Sequence, residues 1–256
     1  MTPALSVFES DLAAYRRTWR ASVLSTFVLP TLVLVGFGTG VGQLVDLHGQ
    51  LGAVRYLDFI VPGMLASTAM QVAFGESAWP VISKFQWIRT YHAMVAAPLR
   101  VIDVLGGDLL YVLFRVLTTT TVFLLVTSAF GAVHSWRALA VLPVCGLLAL
   151  AVGAPMFAFA ARIEQDGYLP LLLRFVVIPM SLFAGVFFPV SRLPDGVRWL
   201  AYASPLWHAV VVCRAATLPG AAPGWWPVLG HLAYLTAWAA VGFWLALLAF
   251  RRRLMS

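Results

Sequence analysis

The chain has 256 residues, of which 61% are hydrophobic and only 11% charged, and its mean hydropathy is +0.90. A soluble domain carries roughly 25% charged residues, so this composition excludes a water-soluble fold in favour of a lipid-embedded one. The formal charge of +7 does not mark a nucleic-acid binder, because the basic residues are scattered through apolar sequence rather than gathered on a polar domain.

The chain opens with Leu5, Phe8, Leu12, Tyr15 and Trp19, spaced by three and four residues and closed by Arg16, Arg17 and Arg20. This spacing predicts an amphipathic helix over 1–21, lying in the cytoplasmic membrane interface or packed on the protein's own cytoplasmic side. Glu9 and Asp11 precede the first apolar run, which is too long for a signal-peptide core, so that run is read as a retained helix.

A helix needs about 20 apolar residues to cross the hydrocarbon core, and six such stretches are predicted, at 22–45, 57–79, 109–130, 138–161, 169–190 and 228–250. None has the short alternating pattern of a transmembrane barrel strand. The expected fold is therefore an all-α integral membrane protein of six transmembrane helices, read as one domain over 1–256. Lys and Arg are retained on the cytoplasmic side during insertion. Placing both termini inside puts Arg16, Arg17, Arg20, Lys84, Arg89, Arg100, Arg162, Arg251, Arg252 and Arg253 there. Arg55, Arg137, Arg192, Arg198 and Arg214 then lie outside, a two-to-one bias for N-in, C-in.

Within the first span, Gly36, Gly38, Gly40 and Gly42 form two overlapping GxxxG spacings, which allow close helix approach within the subunit or against a second copy. In the second, Glu76 lies one turn from the inner end, where it can pair with a basic residue or, with Arg20, serve as a cytoplasmic gate. Arg115 and Arg174 lie inside spans, close enough to the inner end to snorkel to the surface. The inner interval 80–108 interleaves Lys84, Arg89, Arg100, Asp103 and Asp108 with Trp87, Tyr91, His92 and Met94, a composition suited to a cytoplasmic hairpin that touches another protein. The outer interval 191–227 is rich in Pro, Trp and small residues, as in short helices at or dipping into the outer interface.

Chemistry on the chain itself is disfavoured. Cys145 and Cys213 lie far apart and read as packing residues. The five histidines, His48, His92, His134, His208 and His231, are dispersed, with no metal-ligand or paired-carboxylate motif. No span has a carboxylate at its centre, against expectation for an ion-coupled carrier. Lys84, the sole lysine, is preceded by Ser83, so no phosphate-cradling loop is present, and a catalytic role is not expected. A non-transporting membrane scaffold is the alternative from a different class.

Two segments carry a resemblance. The inner one is Thr90-Tyr91-His92-Ala93-Met94-Val95-Ala96-Ala97-Pro98-Leu99 followed by Asp103. The outer one is Gly185-Val186-Phe187-Phe188-Pro189-Val190 with Leu193-Pro194 and Ser204-Pro205-Leu206. Over nearly its whole length the chain resembles the permease subunits of type 2 ABC exporters, in the branch of nodulation-factor (lipooligosaccharide) and daunorubicin-type drug exporters. That resemblance implies a multi-pass permease of the plasma (inner) membrane that moves a lipid-linked glycan or an amphipathic drug out of the cytoplasm or inner leaflet. It also implies a coupling helix at 87–100, with Trp87, Arg89, Tyr91, His92, Met94, Pro98 and Arg100 meeting an ABC ATPase subunit. Trp87, Tyr91 and Met94 would supply the buried anchor and the arginines the surrounding charge. ATP and Mg would be bound by that partner and no cofactor by this chain. Phe187, Phe188, Pro189 and Pro205 would belong to outer re-entrant helices closing the pathway. A second permease copy or a sister permease, and membrane lipids, are the further partners implied; nucleic acid is not.

Overall fold

A computed structural model describes residues 3–47, 54–97, 99–132, 135–218 and 224–255, with side chains in 18–47 described only in part, and every regular element among them is helical. The chain opens on α1 (Pro3–Val35), one unbroken helix across the boundary expected at residue 21. Its first turns pack on another helix rather than standing free. Val7 and Ala4 sit on Gly107, and the ring of Phe8 meets Phe114 edge-on at 5.9 Å. Of the two readings of the N-terminal segment, these contacts match packing on the protein itself. A π-helical stretch, Gly36–Val41, leads into α2 (Gly42–Leu47), and the first predicted span falls across these pieces. Among the described residues, a Cβ added at Gly36 or Gly40 would meet nothing within 4 Å, whereas one at Gly42 would lie 3.7 Å from the Tyr56 ring.

Next come α3 (Tyr56–Gln86), a short α4 (Thr90–Ala96) and α5 (Val101–Ala129). Both long helices reach further toward the inner hairpin than the apolar pattern predicts. α3 runs through Pro80, a residue that ordinarily ends a helix. α5 starts early because the Asp103 carboxylate accepts the Arg100 backbone N–H at 3.2 Å, forming an N-terminal cap. A 3-10 turn, Trp136–Ala140, opens α6 (Val141–Ala160). The final helix, α11 (Trp225–Met255), follows α7 (Tyr168–Leu172), α8 (Ile178–Phe183), α9 (Asp195–Ala203) and α10 (Pro205–Thr217).

Among the described residues, four helical stretches are long and apolar enough to cross a membrane: α3, α5, Trp136–Ala160 and α11. The predicted fifth span is shorter than expected. Its helical run, Tyr168–Phe183, is about 24 Å long at 1.5 Å per residue, short of the roughly 30 Å core. It stops because Gly185 takes φ +81°, a left-handed conformation that ends the helix and turns the chain.

The core is built around α6, with α3 and α11 packed on it and α5 and α10 beside them. Buried Phe123, Phe157, Phe250, Leu65, Met70 and Leu148 fill it, and Cys145 and Cys213 are buried thiols as expected of packing residues. Several chain segments converge at one end of this bundle. The Gln86 side-chain amide donates to the Glu164 carbonyl at 2.7 Å, and the Arg253 guanidinium donates to the carbonyls of Ala161 and Ile163 at 3.0 Å each. The first turns of α1, the α3–α5 hairpin, the loop after α6 and the C-terminus therefore share one end.

Candidate functional site

The hairpin at that end has two chemically different faces. α3 finishes at Gln86, the chain reverses at Arg89 in the left-handed region (φ 56°, ψ 26°), and α4 runs back across the bundle end. Trp87 and Ile88 are 65% and 69% exposed, and Arg89, His92 and Arg100 are exposed beside them. Tyr91 is fully buried, its ring 4.6 Å from Phe85 and 5.3 Å from Phe250, and its hydroxyl donates to the Asp108 carboxylate. Met94 is half-buried against the core. The expectation that Tyr91 anchors a partner is thus corrected, because its polar tip is committed to a buried acceptor inside the bundle. Pro98 lies outside the described residues.

Asp108 belongs to a buried ionic cluster that ties four elements together. The Lys84 ammonium donates to Asp11 of α1 at 2.7 and 2.8 Å and to Asp108 of α5 at 2.8 Å. One cation thus faces two carboxylates, leaving an excess negative charge in a site nearly closed to water. The Asp11 carboxyl is pushed up to about 7, by burial first and by the Asp108 charge next, with Lys84 opposing. Burial and the same Asp108 charge hold the Tyr91 phenol well above its ordinary value, so it stays a donor.

A second ion pair stands on the same seam. Arg115 of α5 donates to Glu76 of α3 at 2.8 Å, with its guanidinium 4.5 Å from the Tyr15 ring of α1. Glu76 and Lys84 are eight residues apart and Arg115 and Asp108 seven, so the two pairs stack about two helical turns apart along the α3–α5 contact. Between them lies a cavity of about 180 Å³ lined by Asp11, Glu76, Lys84, Asp108 and Tyr111. Arg115 therefore does not snorkel to the surface as predicted, because a carboxylate meets it at its own depth. The side chain of Arg20, expected with Glu76 at the cytoplasmic gate, lies outside the described residues. Arg174 is exposed.

At the opposite end, the segment after α8 is tied down by Arg214 of α10. Its guanidinium donates to the carbonyls of Gly185 (2.6 Å), Val186 (3.2 Å) and Phe59 (3.3 Å) and lies 3.7 Å over the Phe59 ring. A Cβ on Gly63 would stand 2.9 Å from the Val186 carbonyl, so this segment lies directly on α3. Of the expected outer gate residues, Phe187 holds the chain to α3 through its carbonyl, 3.4 Å from the Tyr56 hydroxyl, and its ring lies 5.5 Å from Phe37. Phe188 packs on a small cluster of Val190, Leu193 and Ala201, and Pro189 precedes the next turn. Pro205 starts α10 under a Ser204 cap.

Two larger spaces flank the Tyr168–Phe183 helix. One, of about 530 Å³, is apolar and bounded by Phe74, Pro155, Phe159, Met180, Pro205 and Trp238. The other, of about 400 Å³, includes Ser67, Thr68, Gln71, Ser181 and Phe187. Phe187 and Pro205 thus border different spaces.

Sequence reasoning missed the Asp11–Lys84–Asp108 cluster, although a sole lysine set between Ile82 and Phe85 was a usable signal. It also missed a pairing of histidines, which are not all dispersed: His208 and His231 meet with their Nδ1 atoms 2.7 Å apart. No group of three or more His, Cys, Asp or Glu side chains poised for a metal occurs among the described residues.

The sequence matches the family model described as ABC-2 type transporter over residues 5–218. It is 28% identical over 252 residues to nodulation protein J of Sinorhizobium fredii (strain NBRC 101917 / NGR234), covering 98% of this chain and 94% of that protein. Nodulation protein J of Rhizobium leguminosarum bv. viciae is likewise 28% identical, over 98% of this chain and 95% of its own length. The inner membrane transport permease YadH of Escherichia coli (strain K12) is 24% identical over 80% of this chain and 78% of its length.

Proposed function

The chain belongs to the ABC-2 type transporter family, as a multi-pass permease of the inner membrane rather than an ATPase, and from that premise we propose that it exports an amphipathic, lipid-linked glycan. The near full-length similarity to nodulation J proteins favours this substrate over a drug. So does the recess holding Ser67, Thr68, Gln71 and Ser181, which offers hydroxyl and amide groups on an otherwise apolar wall. Stimulation of ATPase activity in reconstituted liposomes by lipid-linked oligosaccharide, and not by amphipathic drugs, is the result this reading requires.

The coupling element is the hairpin, and the observation that carries it is its division into an outward Trp87, Ile88, Arg89 and His92 face and an inward Tyr91 bonded to Asp108. An exposed indole two residues from an exposed arginine is the kind of anchor that a partner groove desolvates. An ABC ATPase subunit that binds ATP and Mg docks on this face. Its closure pushes the hairpin, and the Tyr91–Asp108–Lys84–Asp11 links pass the displacement to α5, α3 and α1. Trp87→Asp should abolish co-purification with the ATPase while leaving membrane insertion intact; retained capture would overturn the assignment.

The chain crosses the membrane six times with both termini in the cytoplasm, the short Tyr168–Phe183 helix making the fifth crossing where the bilayer thins to meet it. The convergence of basic Arg251, Arg252 and Arg253 with the hairpin at one end supports this orientation. A second permease subunit completes the pathway, and the open face at Gly36 and Gly40 is suited to close approach by its helices. Cysteines introduced on that face in a cysteine-free chain should cross-link the two permeases in membranes.

A further inference from the structure

The histidine pair fastens the outer helices by a contact that tolerates a limited number of protons. The His208 Nε2 lies 3.0 Å from the Tyr202 carbonyl, which can only accept, so this nitrogen carries a hydrogen. The two Nδ1 atoms, 2.7 Å apart, then have room for one hydrogen between them. In the neutral pair His231 supplies it. In the singly protonated pair the hydrogen lies between an imidazolium and an imidazole, and the contact is kept. A second added proton sets N–H against N–H at hydrogen-bond distance, and the contact breaks.

The surroundings transmit that event to the fold. His208 stacks on Tyr234 of α11 at 3.8 Å and 15°, and the edge of Trp207 meets both imidazoles at 4.9 and 5.1 Å. The Tyr234 hydroxyl donates to the Ala203 carbonyl at 2.6 Å, so α9, α10 and α11 are joined in one cluster. Among the described residues no acidic group acts on either imidazole to absorb a second charge. From α9 comes the Tyr202 carbonyl and from α11 the Tyr234 ring, while the Asp195–Arg198 pair of α9 is engaged elsewhere, its arginine turned to the Ser191 and Leu193 carbonyls. Burial already holds the His208 imidazole below its usual range.

We propose that His208 and His231 form a one-proton clamp between α10 and α11 that opens when the pair takes a second proton, loosening the outer segment on acidification. The sign follows from linkage. A base whose charging is penalised in the folded arrangement binds fewer protons there than in the open one, so the clamp weakens as pH falls below the ordinary histidine value of about 6.5.

Hydrogen exchange of α10 amides in the full-length chain in lipid nanodiscs, with a chelator present and corrected for intrinsic rate, tests this at pH 7.5 and 5.0. Wild type should exchange about tenfold faster for each pH unit below about 6.5, where the open pair takes its second proton and the closed pair does not. His231→Gln can turn either a donor or an acceptor toward His208, so it loses the clash of two N–H groups and should accelerate clearly less than wild type over the same range. A flat wild type, or a variant that accelerates as wild type does, overturns the clamp. Histidine ¹⁵N titration of the wild-type chain gives an independent reading that needs no variant. Two coupled steps support the shared hydrogen, and two identical independent steps refute it.

Discussion

The Lys84 ammonium lies 2.8 Å from the Asp108 carboxylate, and through it the hairpin, α1, α3 and α5 meet at one buried point. All three of its hydrogens are used, two on Asp11 and one on Asp108. Lys84→Met would leave two carboxylates facing each other out of water. Removing one partner of such a buried pair costs about 3–5 kcal/mol. The variant should therefore unfold at markedly lower temperature in detergent, and adding Asp108→Asn should recover part of the loss. Unchanged melting of Lys84→Met would contradict the cluster.

The two faces of the hairpin predict separable defects. Tyr91→Phe keeps the ring among Phe85 and Phe250 but strands Asp108 without its phenol donor, a loss of about 1–3 kcal/mol. Trp87→Ala touches only an exposed side chain and should stay within about 0.5 kcal/mol of wild type. Capture of the ATPase should follow the reverse order, failing for Trp87→Ala and surviving in Tyr91→Phe at low temperature. Thermal melts and co-purification measured on the same preparations decide it.

Much of this arrangement was legible in the sequence, and what was not has a physical reason. Apolar length located α3, α5, α6 and α11, because crossing hydrocarbon demands it of any sequence. The ends of α3 and α5 were misjudged because Asp108 was read as loop polarity, whereas Lys84 on the neighbouring helix neutralises it within the bundle. The hairpin residues were found by composition, but which of them faces inward depends on the turn at Arg89, which no periodicity in seven residues could fix. Arg115 and Glu76 were each visible as costly charges in apolar spans. Their pairing across 39 positions required the antiparallel register of two helices.

Docking of α1 should depend on pH through Asp11. Its carboxyl is raised to about 7 from an ordinary 3.8, chiefly by burial, so the folded cluster favours the protonated form. The penalty for ionising it is present above pH 7 and is relieved as pH falls through 7 toward 4. Protease protection of the first turns of α1 should thus rise on going from pH 8 to pH 5. Asp11→Asn should remove that dependence while keeping an acceptor for Lys84; a pH response retained in this variant would assign the effect elsewhere.

Glu76 and Arg115 should behave as a coupled unit. Glu76→Gln and Arg115→Met each break the 2.8 Å ion pair, and the second also removes the cation over Tyr15. Contacting charged residues commonly show interaction energies of about 0.5–3 kcal/mol in double-mutant cycles. The double variant should therefore lose less stability than the two single losses combined. Strict additivity in thermal or denaturant unfolding would mean that the two side chains do not share their energy.

The fit of the outer segment on α3 can be tested by adding a single methyl group. A Cβ at Gly63 would lie 2.9 Å from the Val186 carbonyl and 3.0 Å from its Cα, backbone atoms that Arg214 holds in place through the Gly185 and Val186 carbonyls. The methyl group cannot be accommodated by a rotamer change, so the segment must lift from α3, and overpacking of this kind costs about 1–3 kcal/mol. Gly75, in the same helix, has nothing within 4 Å of its Cβ position, so Gly75→Ala should be neutral or stabilising by up to about 1 kcal/mol through helix propensity. Gly63→Ala should therefore melt lower than wild type and expose residues 184–192 to protease, with Gly75→Ala doing neither. If both substitutions proved equally mild, Val186 would not be pressed against α3, and the Arg214 contacts could not be what seats the outer segment.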